Sequence, residues 1–155
     1  MRAAIEETKP VHLRLPIHNV HRAVGAGLSG RIVQRCGAAG LPEDTIRLDF
    51  SGSAGQSLGA FLAPGITIRV KGDANDYLGK GMSGGRIILV PPKGMAGRPH
   101  ENIIVGNTVL YGATGGEAYL SGLAGDAVAG ASLVVRAIDQ GRRMADAVDR
   151  FLHTA

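Results

Sequence analysis

Apolar and polar residues alternate along three short runs in the middle of the chain, and the runs repeat one another. Ile46, Leu48 and Phe50 alternate with Arg47 and Asp49, and Ile66, Ile68 and Val70 alternate with Thr67 and Arg69. A period of two is that of a strand with one buried face. Shifted by about twenty residues, the first run lies over the second, with Gly52 over Gly72 and Gly59 over Gly79. "RIILVPP" supplies a third copy, in which Ile88 and Val90 extend the Leu48–Ile68 and Phe50–Val70 columns.

Strands repeated at that spacing, each followed by a glycine-rich corner, predict a mainly β fold: a right-handed parallel β-helix, a single-stranded solenoid in which each turn of chain rests on the last. Hairpins are not indicated, because no Asn-Gly or Asp-Gly pair separates the runs. Elsewhere the period changes. Val24, Leu28 and Ile32, four apart, predict a short helix ending near Cys36 and Gly37, with Asn19 as a candidate cap. Val134, Ile138, Ala145, Val148 and Leu152 mark one face of a C-terminal amphipathic helix, with Asp139–Arg143 and Asp146–Arg150 as i,i+4 pairs. Asp126 stands near its start as a cap, and Gly141 weakens its middle. The expected organisation is therefore an N-terminal segment with a short helix (1–40), the β-helix (41–125) and a C-terminal helix (126–155).

"GDANDYLGKGMSGG", residues 72–85, is the stretch richest in ligand-like residues. A phosphate-binding loop would need glycine where Ala74 stands, and Ser or Thr instead of Gly81 after Lys80. A calcium loop would need a closing glutamate where Gly84 stands. The stretch reads as a corner shaped by its glycines, with Asp73, Asn75 and Asp76 fastening turn backbone. "VGAGLSG" contains G-x-G-x-x-G from Gly25 to Gly30, but the preceding "PIHNVHRA" is polar and supplies no apolar strand, which the dinucleotide fingerprint requires. His18 and His21 could share one face of the short helix, yet no third metal ligand lies nearby. Cys36 has no evident base beside it and reads as a small buried hydrophobe. No catalytic, cofactor-binding or metal-binding residue is expected in the chain.

Composition narrows the classes further. The net charge is +4, but the 17 Lys and Arg are scattered, and aromatic residues make up only 4% of the chain. A nucleic-acid surface would concentrate the charge and, for single strands, add aromatics. One cysteine excludes an internal disulfide framework and fits a cytoplasmic setting. The N-terminus carries Glu6 and Glu7 and no apolar core of a signal peptide, and no apolar run approaches membrane-spanning length.

Four long phrases, "IHNVHRAVGAGLSGRIVQRCG", "LPEDTIRLDFSGSAGQSLGAFLAPG", "GDANDYLGKGMSGGRIILVPP" and "NIIVGNTVLYGATGGEAYLSGLAG", resemble the C-terminal GXGXG domain of the glutamate synthase large subunit over residues 11–125. The resemblance implies a right-handed parallel β-helix without catalytic residues, packed between glutamine amidotransferase and synthase domains. Its implied partners are amidotransferase and FMN-binding synthase chains of a glutamate synthase-like complex. FMN, an iron–sulfur cluster and, as further candidates, FAD or NADPH would reside in those chains. Related stand-alone subunits occur in N-methylglutamate synthase-like complexes. After Gly125 the sequence departs from that pattern. The tail is similar to the last segment of FAD and NADPH-dependent oxidoreductases such as the glutamate synthase small subunit, where Gly125 and Asp126 match a flavin-contacting Gly-Asp pair. The Rossmann fingerprint that works with that pair is missing, so the pair alone implies no flavin site. The chain thus reads as a truncated GXGXG domain with a flavoprotein-like tail, whose helix could cap the open end of the solenoid.

Three alternatives stand beside the scaffold role. One is a flavin- or NAD(P)-binding subunit of an oxidoreductase. Another is a homo-oligomer assembled through open solenoid ends, and the third is a truncated or chimeric remnant without activity.

Overall fold

The computed structural model of the chain describes residues 2–92 and 102–125. Helix α1 (Arg2–Glu6) leads into strand β1 (Val11–Ile17), and helix α2 (Ala26–Cys36) follows, with a short 3-10 turn at Gly37–Ala39. The rest is β: β2 (Ile46–Ala54), β3 (Ile66–Ala74), β4 (Ser83–Val90), β5 (Ile103–Val105), β6 (Gly115–Leu120) and β7 (Leu123–Ala124). The protein is mainly β with few helices. The strands form one sheet ordered β1-β2-β3-β4-β6, with β5 bridging β3 and β7, and every described pairing is parallel. The C-terminal helix expected from Val134 to Leu152, with Asp126 and the segment 126–155, lies outside the described residues.

The alternation read from the sequence sets the register. Ile46, Leu48 and Phe50 pair with Ile66, Ile68 and Val70, and Gly52 pairs with Gly72, as the repeat predicts. Leu13–Leu48–Ile68–Ile87 and Leu15–Phe50–Val70–Leu89 become inward columns. A third column of smaller residues, Ala54–Ala74–Val105–Ala124, runs at the far end of the strands. The core gathers between these columns, the corners and α2, which contributes Ile32. Each fully buried Ile or Leu contributes about 1.5–3 kcal/mol.

Two details differ from the sequence reading. The third copy is one residue out of phase: Val70 pairs with Leu89, and Ile68 with Ile87, so Ile88 and Val90 face outward. The Leu62 carbonyl accepts from both Ser83 (3.0 Å) and Gly84 (3.1 Å), so the chain slips one residue here. Gly85, at φ 72°, fits where a Cβ would meet the carbonyls of Ile66 and Ala63. The second correction is that a strand does precede α2. β1 pairs with β2 along its whole length, but as an edge strand it leaves even its inward Leu13 and Leu15 exposed, at 36% and 48%. A strand without a covered face gives little periodic signal.

Where strands sit in register, Gly52 and Gly72 leave no room for a side chain between them. Gly72 has φ 152°, and a Cβ there would fall inside the van der Waals shell of the Gly52 carbonyl oxygen. Gly72→Ala is therefore expected to destabilise the fold by at least about 3 kcal/mol, through forced separation of two ladder strands. Gly30→Ala, in α2 with open space around it, is expected to stabilise by about 0.5–1 kcal/mol. Urea denaturation of the two variants beside the parent reads both; similar midpoints for the pair would contradict the close-approach argument.

Candidate functional site

The ligand-like stretch 72–85 covers the end of β3, a corner and the first residues of β4. Its backbone follows a rule shared with other corners. Tyr77, Gly79 and Gly81 have φ of 62°, 63° and 62°. Ser57, Gly59 and Phe61 repeat this at 63°, 67° and 55°, and Thr108, Leu110 and Gly112 at 59°, 58° and 67°. Between them the N–H groups close i→i−3 turns: Ala60 to Ser57, Leu62 to Gly59, Lys80 to Tyr77 and Met82 to Gly79. A left-handed third residue is what such a turn of type II demands, which is why glycine recurs at 59, 79 and 81.

The left-handed residues themselves donate outside their own corner, in alternate directions. Tyr77 donates forward to Asn107 (3.0 Å), Gly79 backward to Leu58 (2.8 Å), and Gly81 forward to Tyr111 (2.8 Å). Ser57, Gly59 and Phe61 do the same toward Asp76, Val24 and Lys80. Corner backbone is thus hydrogen-bonded both within itself and to the corners on either side. Between and beside them Leu58, Ala60, Leu62, Leu78, Met82 and Val109 are buried, whereas Lys80 and Tyr111 are not.

The side chains that resembled ligands serve the same contacts. Asp73 accepts from the Ser53 hydroxyl (3.0 Å), and Asp76 accepts the Asn107 N–H at 2.7 Å. Asn75 accepts the Asp76 N–H at 2.8 Å and donates to the Asn19 side-chain oxygen at 3.0 Å. The Lys80 ammonium sits 5.3 Å from the centre of the Tyr77 ring. Asn19 is accordingly a partner of Asn75 rather than the cap of α2, which starts after Gly25 at φ 99°.

Gly25 belongs to a further corner that the sequence reading took for part of a possible fingerprint. Ala23 is also left-handed (φ 51°), the Ala26 N–H closes onto Ala23, and the Ala23 N–H donates to Gln56. Gly27 and Gly30 lie inside α2 with nothing near them. His18 and His21 are in the loop before α2, not on it; the His18 N–H donates to His21 Nδ1 at 3.1 Å and the rings lie 5.5 Å apart. Cys36, half-buried at the end of α2, packs against the core. Gly125 donates its N–H to the Val105 carbonyl (3.0 Å), as Gly106 does to Ala74 and Asn75 to Ala54, so it keeps the period of the stack. Among the described residues no group of three or more His, Cys, Asp or Glu gathers as metal ligands, and no helix is long and apolar enough to cross a membrane.

The second polar centre, missed in the sequence, lies on the outward side of the sheet. Arg86 of β4 meets Glu117 of β6 through Nε (2.6 Å), and Glu43 and Asp44 of the loop before β2 through its terminal nitrogens. Asp44 also accepts from the buried Thr67 hydroxyl at 2.6 Å. The bond to Glu117 pushes the Arg86 pKa up, against the effect of burial. Tyr119 donates to the same Glu117 oxygen at 3.1 Å, and burial followed by that bond raises its pKa above the ordinary tyrosine value.

An all-parallel sheet whose glycine corners bond to one another defines a repeat-built β protein. The GXGXG motif family matches residues 1–143, past Gly125 and Asp126, and the chain belongs to that family. It is a glutamate synthase-related domain. Over 79% of its length it is 52% identical to "Glutamate synthase [NADH]" of Schizosaccharomyces pombe. Over 87% it is 47% identical to the "Glutamate synthase [NADPH] large chain" of Bacillus subtilis, and over 89% it is 44% identical to "Ferredoxin-dependent glutamate synthase 2, chloroplastic" of Arabidopsis thaliana. The chain spans only 6%, 9% and 8% of those proteins.

Two expectations follow from these contacts. Asp76→Ala removes the acceptor of the Asn107 N–H and is expected to lower stability by about 1–2 kcal/mol, whereas Asp76→Asn, which keeps an oxygen there, costs less than half as much. Equal losses in thermal melts would show that charge, not the bond, matters at that position. For Tyr119, a raised folded pKa favours the neutral form, so its contribution is present below the unfolded value. That contribution is lost as pH rises through the folded value, from about pH 10 upward. Tyr119→Phe is expected to flatten the alkaline fall of the unfolding free energy relative to the parent, measured by urea titration at several pH values.

Proposed function

We propose that this chain is a structural and interaction domain of a glutamate synthase-type assembly, with no chemistry of its own. The observation that carries the reading is that Asp73 ties β3 to β2 while Asn75 and Asp76 fasten one corner to the next. Membership of the family and likeness to glutamate synthases supply the context. In this reading the sheet and corners of residues 41–125 wind as a right-handed parallel β-helix. The pairing of β2 with β3 and the interlocked corners support that winding. Residues 1–40 begin the stack and residues 126–155 follow it.

The assembly would form glutamate from glutamine amide nitrogen and 2-oxoglutarate in the cytoplasm. Amidotransferase and FMN-binding synthase chains are its partners, and they hold the FMN, the iron–sulfur cluster and any FAD or NADPH. Tagged chain recovered from its native host is expected to bring down flavin-bearing partners, recognised by their absorption spectrum and by peptide identification. Calorimetric titration of the purified chain with FMN, FAD or NADPH is expected to give no saturable heat. Saturable binding by the chain alone would overturn the scaffold reading in favour of a cofactor-binding subunit.

A further inference from the structure

The outward side of the sheet is charged very unevenly. Alternation puts Arg14 of β1, Arg47 and Asp49 of β2, and Arg69, Lys71 and Asp73 of β3 on that side, opposite the core. Register then aligns Arg14, Asp49 and Arg69 in one row, with Arg47 and Lys71 in the rows on either side. Parallel strands lie about 4.8 Å apart and like-facing residues about 7 Å apart along each strand, so the group is compact. Of its two carboxylates, Asp49 is held by His12 at 2.8 Å and lies 3.9 Å from Arg14, and Asp73, one outward position beyond Lys71, accepts from the Ser53 hydroxyl. Arg47, Arg69 and Lys71 have no carboxylate partner among the described residues. On the adjoining strand β4, on the same side, Arg86 has three.

We propose that the β1–β3 face docks an acidic surface of another polypeptide. Guanidinium forks match carboxylates with two parallel bonds, and cations that outnumber the carboxylates around them favour such a partner and steer its approach. Pro16 of β1, exposed and on the same side as Arg14, borders the shallow groove that Arg14, Arg69 and Lys71 line, and offers it apolar contact. Single-stranded nucleic acid fits less well. No outward residue of β1–β3 is aromatic, so bases have no stacking platform, and Asp49 stands in the middle of the path a phosphate backbone would take. The proposal deepens the scaffold reading by naming the chemistry of the partner, but its test needs no glutamate synthase chain and can fail separately.

The test is fluorescence anisotropy of a labelled oligoglutamate peptide titrated with the full chain at low and at physiological salt. Saturable binding that weakens with salt is expected, reduced at least about tenfold in Arg47→Glu/Arg69→Glu. Arg31→Glu/Arg35→Glu, which changes the net charge equally at exposed positions of α2, is expected to retain it within about twofold. Circular dichroism melts confirm that both variants are folded; if the first is not, Arg47→Gln/Arg69→Gln replaces it. Absence of binding, equal loss in both variants, or tighter binding of an oligothymidylate of the same charge would each overturn the proposal.

Discussion

Everything in this molecule depends on how its chain turns a corner. A left-handed residue at every second position sends successive peptide groups in different directions. One N–H closes a turn, the next reaches the preceding corner, the next closes a turn, and the next reaches the following corner. Such a corner is satisfied only with another of its kind on each side, so the backbone itself specifies stacking. Glycine meets the conformational demand at Gly59, Gly79 and Gly81, while Phe61 and Leu110 adopt it with full side chains, at a cost of roughly 1–2 kcal/mol each. Those costs persist because the neighbouring corners hold the geometry from both sides.

Corner stacking also fixes strand register, and register decides which side chains become neighbours. In a parallel sheet, a slip of one residue exchanges the buried and exposed faces of every later position. The slip at Ser83–Gly85 does this once, and the sequence carries it in residues almost without side chains, so nothing there reports the phase. The repeat between β2 and β3 was legible because their connection has the standard length. The corner at Ala23–Gly25 was hidden by α2, which enters directly after it, and the corner at Thr108–Gly112 by residues 91–102, which separate β4 from β5. β1 was hidden for a different reason: at the sheet edge its alternation has no burial to enforce it.

The polar side chains were legible in kind but not in partner. Asp73, Asn75 and Asp76 were readable as turn residues, because short side chains with oxygen acceptors serve exposed backbone groups. That two of them would act between corners, Asn75 toward Asn19 and Asp76 toward Asn107, followed only from the stacking distance. Arg86 offered no local signal at all. Its carboxylates come from the loop before β2 and from β6, and meet only when β4 lies between β3 and β6.

The same register that assembles the Arg86 cluster prevents a second one. Glu43 and Asp44 enter beside the β3–β4 end of the outward face, where Thr67 holds Asp44 in place. On β1–β3 the rows bring Arg14 beside Asp49 and Asp49 beside Arg69, and with Asp73 beyond Lys71 the face carries two carboxylates among four cations. Repulsion between exposed cations costs a few tenths of a kcal/mol per pair in water, little enough for a fold held by its core and corners to carry. Desolvated against a neutral partner, the same cations would cost far more, whereas a partner bearing carboxylates reverses the sign. The charge imbalance therefore acts as a selection rule: it admits one class of surface to this face and penalises burial against the rest.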